Sequence, residues 1–271
     1  MLGAVVGDVI GSVYEVNNVK AKNFELFSDE STYTDDSVMT CAIASACIEY
    51  LNNRNIEGFK KNVIKNMREL GRLHITAGYG GTFIKWLLTS NPIPYNSWGN
   101  GSAMRVSPIA WVSESIEECE YLAGVSASVT HNHQEGIKGA KAIASATFMA
   151  KAKFNKDEIR KYIEEKYYDL DFKLDEIRNK YKFDVSCQGS VPQAIKAFLE
   201  GNNFEDVVRN AISIGGDSDT IAAMAASIAE AYYGIPENLV IKTNEHLSID
   251  LKKILIEFDN ARNELMKKKN K

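Results

Sequence analysis

The sequence predicts an all-α fold built as one domain, and three observations carry that expectation. Apolar residues recur at helical spacing through much of the chain, as at Ile56, Phe59, Val63, Ile64 and Met67. Only five prolines occur in 271 residues, none expected inside a long periodic segment. Two carboxylate-rich clusters of the same chemistry stand near opposite ends, each just before a small-residue helix, and no linker separates them. With 45% hydrophobic residues the chain can bury a substantial core, and if the two clusters act together its ends must meet.

The first helix is expected over Leu2 to Glu15, with Gly3, Gly7 and Gly11 at steps of four and Glu15 continuing the row. Residues four apart share a helix face. Each glycine costs about 1 kcal/mol relative to alanine, so a bare face implies close approach of a ligand or of another helix. After a polar connection from Asn17 to Tyr33 comes Thr34-Asp35-Asp36-Ser37, then a buried helix from Val38 to Leu51. Asn55 to Leu70 reads as an amphipathic helix whose lysines form a solvated face.

The turn Ala77-Gly78-Tyr79-Gly80-Gly81-Thr82 opens an apolar stretch from Phe83 to Leu88 and offers free backbone N–H groups suited to phosphate. It is neither a P-loop nor a dinucleotide fingerprint. Asn96 to Arg105 sets an aromatic, amides and hydroxyls close together, which suits a nucleoside and equally suits an Asn-Gly surface turn. Helices follow over Ser115 to Thr130 and Glu135 to Phe154, with Thr130-His131-Asn132-His133 between them; with four histidines in all, zinc is the weaker reading of that pair. The charged run from Asn155 to Asp184 reads as a pair of surface helices or an insertion without chemistry. Pro192 to Leu199, Asp206 to Ile214, Ala222 to Tyr233 and Leu247 to Met266 complete the helices, ahead of a Lys-Lys-Lys-Asn-Lys tail.

The second cluster is Gly215-Gly216-Asp217-Ser218-Asp219-Thr220, where a Gly-Gly turn hands over to a helix. Hard oxygen ligands of this kind suit Mg²⁺, Mn²⁺ or Ca²⁺. Asp, Ser and Thr ahead of a helix are also ordinary N-caps, the simpler account of either cluster alone. An EF-hand is disfavoured, because the glycine expected at the sixth loop position is Ala222.

A formal charge of −4 argues against a nucleic-acid surface. Neither a signal peptide nor a stretch of membrane-spanning length is apparent. Cys41, Cys47, Cys119 and Cys187 lack CxxC spacing and are expected as buried, reduced thiols. A cytoplasmic monomer is the expectation.

Taken in order, Gly7-Asp8-x-x-Gly11-x-x-x-Glu15, Thr34-Asp35-Asp36-Ser37, Gly78-Tyr79-Gly80-Gly81, Gly99-Asn100-Gly101-Ser102-Ala103-Met104-Arg105, Thr130-His131, Ser190-Val191-Pro192 and Gly215-Gly216-Asp217-Ser218-Asp219-Thr220 resemble the ADP-ribosylglycohydrolases. That family includes the dinitrogenase reductase-activating glycohydrolase and the ADP-ribosyl-acceptor hydrolases. The resemblance implies a single-domain orthogonal helical bundle with a central cleft holding two Mg²⁺ or Mn²⁺ ions, and release of ADP-ribose from an N- or O-linked protein or small-molecule conjugate.

Carried over by position, Thr34, Asp35 and Asp36 would bind one metal, Asp217 and Thr220 the other, and Asp219 would bridge both. Gly80 and Gly81 would lie against the diphosphate. Ser97, Trp98, Gly99, Asn100, Gly101, Ser102 and Met104 would line the distal part of the ligand, with Trp98 stacking on adenine and His131 near the cleft. Glu15 is the candidate proton-handling residue, with Asp36 as the alternative. A dimetal nucleotide phosphohydrolase and a non-catalytic ADP-ribose binder are the competing readings.

Overall fold

Small residues allow two helices from opposite ends of the chain to lie almost backbone to backbone. In the computed structural model, which describes residues 1–269, α1 (Leu2–Gly11) runs against the late helix Ser218–Tyr233. Side chains added at Gly3, Gly7 and Gly11 would come within 3.0 Å of Ala226, Ala222 and Asp219 respectively. The descending partner numbers make the pair antiparallel, so the C-terminal end of α1 sits beside the N-terminal end of its partner. The glycine face therefore serves helix packing, not ligand approach. α1 also stops at Gly11, and a 3₁₀ turn over Ser12–Tyr14 carries the chain to Glu15 instead of the continuous helix expected.

The remaining helices in chain order are α2 (Asp35–Asn53), α3 (Ile56–Leu73), α4 (Gly81–Leu88), α5 (Gly101–Met104), α6 (Ser107–Val112), α7 (Ile116–Ser128), α8 (Gln134–Lys151), α9 (Lys156–Lys166), α10 (Leu174–Ile177), α11 (Cys187–Glu200), α12 (Phe204–Ser213), α13 (Ser218–Tyr233), α14 (Glu237–Glu245) and α15 (Ile249–Lys269). No strand is formed among the described residues, whose one β-type pairing is the isolated bridge between Gly99 and Ser186. All-α is thus the fold class. Of the Lys-rich tail, Asn270 and Lys271 lie outside the described residues.

α13 is the central element: Ile221, Ala222, Met224, Ala225, Ala226, Ile228 and Ala229 are all fully buried. Alanines admit neighbours on every side, which a helix enclosed all round requires. The four cysteines are free and buried, as expected.

Three expectations change. Pro192 lies inside α11, which begins at Cys187, five residues before the expected start. Gly101–Met104, Ser107–Val112 and Glu237–Glu245 are helices the periodicity did not reveal, since each is short for a helical period to register. The 155–184 run is not surface throughout: Ile159, Ile163, Leu170 and Leu174 are fully buried, while its charged side chains are mostly exposed. No described helix is long and apolar enough to cross a membrane.

Candidate active site

The N-terminal ends of α2 and α13 meet at one cavity of about 480 Å³. Asp35 and Asp36 stand in the first turn of α2 and Asp219 in that of α13, where peptide dipoles favour negative charge. Thr34 caps α2, its hydroxyl accepting from the Asp36 N–H. Before α13, Gly215 and Gly216 both take positive φ, at 67° and 77°, so the chain turns sharply enough to deliver Asp217 inward. Asn18 holds that turn by accepting from Gly216 N and donating to Gly216 O, and Lys20 donates to Ile214 O.

Oxygen atoms of Asp8, Asp36 and Asp219 lie within 4.8 Å of one another, as do those of Glu15, Asp217 and Asp219. Asp219 belongs to both groups. Asp36, Asp217 and Asp219 are at most 5% exposed. Burial, then the charges of Asp8 and Asp35, raise the Asp36 carboxyl far above its usual range, and burial with Asp36 and Asp217 does the same to Asp219. Asp35, also raised chiefly by burial and then by Asp8, reaches about 8. Glu15 is raised by burial and by Asp217.

The donor set fits divalent cations. The cavity is lined by five carboxylates, those of Glu15, Asp35, Asp36, Asp217 and Asp219, against the single guanidinium of Arg105. Asp36 Oδ1 is buried without a hydrogen-bond partner, a lone pair aimed at nothing the protein supplies. Asp36 Oδ2 accepts from Thr220 Oγ1 at 2.9 Å.

Asp8 is different, although it lies within the same cluster. Its carboxylate accepts four bonds, from Thr34 N, Thr34 Oγ1, Ser37 N and Ser37 Oγ. Three of these bonds end on Oδ2 and one, from Thr34 Oγ1, on Oδ1, so most of its accepting capacity serves the start of α2. By accepting the Thr34 hydroxyl hydrogen bond it leaves that oxygen one lone pair beyond the one that accepts from Asp36 N–H, a supporting role of the kind outer-shell partners play around metals.

The rest of the lining comes from loops. Gly80 and Gly81 face open space and begin α4, so the free N–H groups of a helix N-terminus open on the cavity. Ser97, Gly99, Asn100, Gly101, Met104 and His131 line it. Asn100 donates from Nδ2 to Asp217 at 2.7 Å and to Ser190 Oγ at 3.2 Å.

Two expected lining residues stand elsewhere. Ser102 is fully buried and donates to Gly136 O at 2.7 Å. Trp98 is 52% exposed and leans edge-on against His133, which caps α8, so its ring stands outside the cavity lining. The aromatics that do line the cavity are Phe83, Tyr95 and Phe183, none of them expected, and Val185 lies beside them. Phe183 and Val185 belong to the stretch held by the Gly99–Ser186 bridge, where Asn100 N donates to Val185 O and Cys187 N to Trp98 O. His74 is bonded to Asp250 Oδ2 at 2.7 Å and to Tyr33 at 3.2 Å.

A sequence model of the family described as ADP-ribosylglycohydrolase matches residues 1–264. The chain belongs to that family. Similar relatives include ADP-ribosylhydrolase ARH3 of Homo sapiens, 26% identical over 88% of this chain and 85% of the relative, and that of Xenopus tropicalis, 27% identical over 86% of each. ADP-ribosylarginine hydrolase Tri1 of Pseudomonas putida is 24% identical over 87% of this chain and 70% of its own length. A solved ADP-ribosylglycohydrolase-related protein complex superposes with a TM-score of 0.65 at 20% identity, covering 96% of this chain and 95% of that one, which supports the shared all-α fold. As an ADP-ribosylglycohydrolase family member, the protein is a hydrolase by class, with clustered acidic residues able to hold metal.

Proposed function

We propose that the cavity binds the ADP-ribosyl group of a modified protein or small molecule and hydrolyses its N- or O-glycosidic bond to free ADP-ribose. The observation that carries this reading is the convergence of five carboxylates in one cavity, with Asp36 Oδ1 buried and unpartnered. An anionic diphosphate would be repelled by that lining unless cations were present. Thr34, Asp35, Asp36, Asp217, Asp219 and Thr220 would hold two Mg²⁺ or Mn²⁺ ions, with Asp219 shared because it belongs to both oxygen groups. When bound, such ions neutralise the carboxylates and lower the pKa of water.

The protein's own groups supply the rest. Gly80 and Gly81 present N–H groups to the diphosphate, and His131 and the Ser97–Gly101 loop bind beyond it. Cleavage develops oxocarbenium charge at the ribose C1, which the surrounding carboxylates stabilise. Water oxygen bonds to C1, the C1–acceptor bond breaks with its electron pair going to the acceptor atom, and the water proton passes to Glu15, which returns a proton to the leaving group. Burial, then the charge of Asp217, raises the Glu15 carboxyl, which favours its taking up and returning a proton.

The test is a panel of ADP-ribosylated arginine, serine and O-acetyl substrates with Mg²⁺ or Mn²⁺, resolved by product chromatography. Free ADP-ribose is expected. AMP or inorganic phosphate instead would point to a nucleotide phosphohydrolase, and tight ADP-ribose binding without turnover to a binder.

A further inference from the structure

Among the described residues Arg105 is the largest fully buried side chain, and none of its hydrogen bonds goes to a carboxylate. It donates from Nη1 to Gly101 O at 2.8 Å, and from Nη2 to Ser126 O at 3.2 Å and to Thr130 Oγ1 at 3.0 Å. A guanidinium only donates, so the Thr130 oxygen receives that bond as an acceptor. The hydroxyl proton must then go elsewhere. Thr130 is fully buried, and among the described residues the acceptor its hydroxyl meets is His131 Nδ1, at 2.7 Å. Were Nδ1 itself protonated, the Thr130 hydroxyl would be a buried donor with no partner, which folded proteins avoid.

We infer that Arg105 and Thr130 are positioning residues that lock His131 as the neutral Nε2–H tautomer, with this N–H presented to the cavity as a fixed donor for an anionic or hydroxyl oxygen of the ligand. The ring sits at the cavity wall, with Nε2 beside Gly99 and Gly101, where the absence of side chains leaves it accessible. Burial and the Arg105 charge also hold His131 well below the usual histidine range, so the donor stays neutral through the physiological span. Which nitrogen a ligating histidine offers is set by the bond its other nitrogen makes. Here the chain runs Arg105 to Thr130 to His131 to ligand, each group donating to the next. The ligand end of this chain rests on the ADP-ribose reading of the cavity; the tautomer does not.

The experiment is long-range ¹H–¹⁵N NMR of ¹⁵N-histidine-labelled, ligand-free protein, with the His131 ring signals assigned by their loss in His131→Gln. The expected result is a protonated-type shift at Nε2 and an unprotonated-type shift at Nδ1, invariant from pH 6 to 8. A protonated Nδ1 in the wild type overturns the relay. Thr130→Val keeps shape and leaves Arg105 its two carbonyl acceptors, and is expected to mix the tautomers, whereas Thr130→Ser restores the wild-type pattern. Calorimetry with ADP-ribose and Mg²⁺ should show affinity reduced roughly three- to tenfold in Thr130→Val, the worth of one hydrogen bond, and restored in Thr130→Ser. Unchanged affinity in a Thr130→Val protein with mixed tautomers would overturn the ligand end of the proposal. Absence of ADP-ribose binding in the wild type would overturn the cavity reading instead, and the tautomer signals would still decide the relay.

Discussion

Asp8 accepts from both the backbone N–H and the hydroxyl of Thr34, at 2.9 and 2.7 Å, and so ties α1 to the first turn of α2. With Ser37 completing its four bonds, Asp8→Asn would turn one acceptor oxygen into a donor facing donors. The expected outcome is a loss of about 1–3 kcal/mol in stability, the cost of a buried polar mismatch, together with weaker Mn²⁺ binding through a disordered Thr34. Urea denaturation and Mn²⁺ titration calorimetry check both. Wild-type values in the two measurements would remove Asp8 from this supporting role.

Asp219 joins both carboxylate groups, so Asp219→Ala is expected to abolish tight binding of two Mn²⁺ ions and activity together. Retention of two-ion binding at unchanged affinity would refute the shared-ligand assignment.

Glu15→Gln is nearly isosteric. If Glu15 transfers the proton, the variant keeps ADP-ribose affinity within a few fold and loses turnover by roughly 10² to 10⁴, the usual worth of general acid–base catalysis. Single-turnover ADP-ribose release, measured beside binding, is the check; wild-type turnover would leave Asp36 as the candidate base.

The pH dependence follows from the raised carboxyls. Asp35, Asp36 and Asp219 have folded pKa values above the 3.8 of an ordinary aspartate, so without cations their folded forms retain protons that unfolded chains release. That contribution to stability is full below pH 3.8 and is lost as pH rises through the folded values, about 8 for Asp35. Cations compete with those protons. The rise in Tm produced by a fixed Mg²⁺ concentration, relative to chelator, should therefore grow from pH 6.5 to 8.5. A rise that shrinks over this span would contradict cation binding at these carboxylates.

Two glycines should respond in opposite ways. Gly11→Ala would drive a Cβ into the Asp219 backbone and is expected to destabilise by about 1–3 kcal/mol, as overpacking does, while weakening Mn²⁺ binding. Gly80→Ala meets open space and should melt as the wild type does, but with weaker ADP-ribose affinity. Equal melting temperatures for the two variants would show that the α1–α13 contact yields more easily than its spacing implies.

The two carboxylate clusters were legible in sequence because helix N-caps announce themselves locally, within four residues. The glycine row was legible as a bare face, but not its occupant, since only the fold shows that α13 fills it. Asp8 stands in the sequence motif without its partners for a related reason: a carboxylate within an apolar helix signals a partner, and the partner is the start of a helix that nothing local places alongside. Phe183 and Val185 were hidden by composition. They sit in a charged run, and their route to the cavity depends on a single bridge between residues nearly ninety positions apart. Pro192 misled because a proline in the second turn of a helix still reads as its beginning.

The antiparallel fit of α1 against α13 has a bearing on how the chain is made. α1 leaves the ribosome roughly 200 residues before the helix that covers its glycine face. At about 5–20 residues per second, that interval lasts on the order of 10–40 s. Throughout it, α1 lacks its packing partner, Glu15 faces no Asp217 or Asp219, and the carboxylate constellation does not exist. Nascent chains halted before Gly215 should therefore be open to protease at α1 and indifferent to Mn²⁺. Protection and metal response should arrive together, once α13 has emerged and closed on α1.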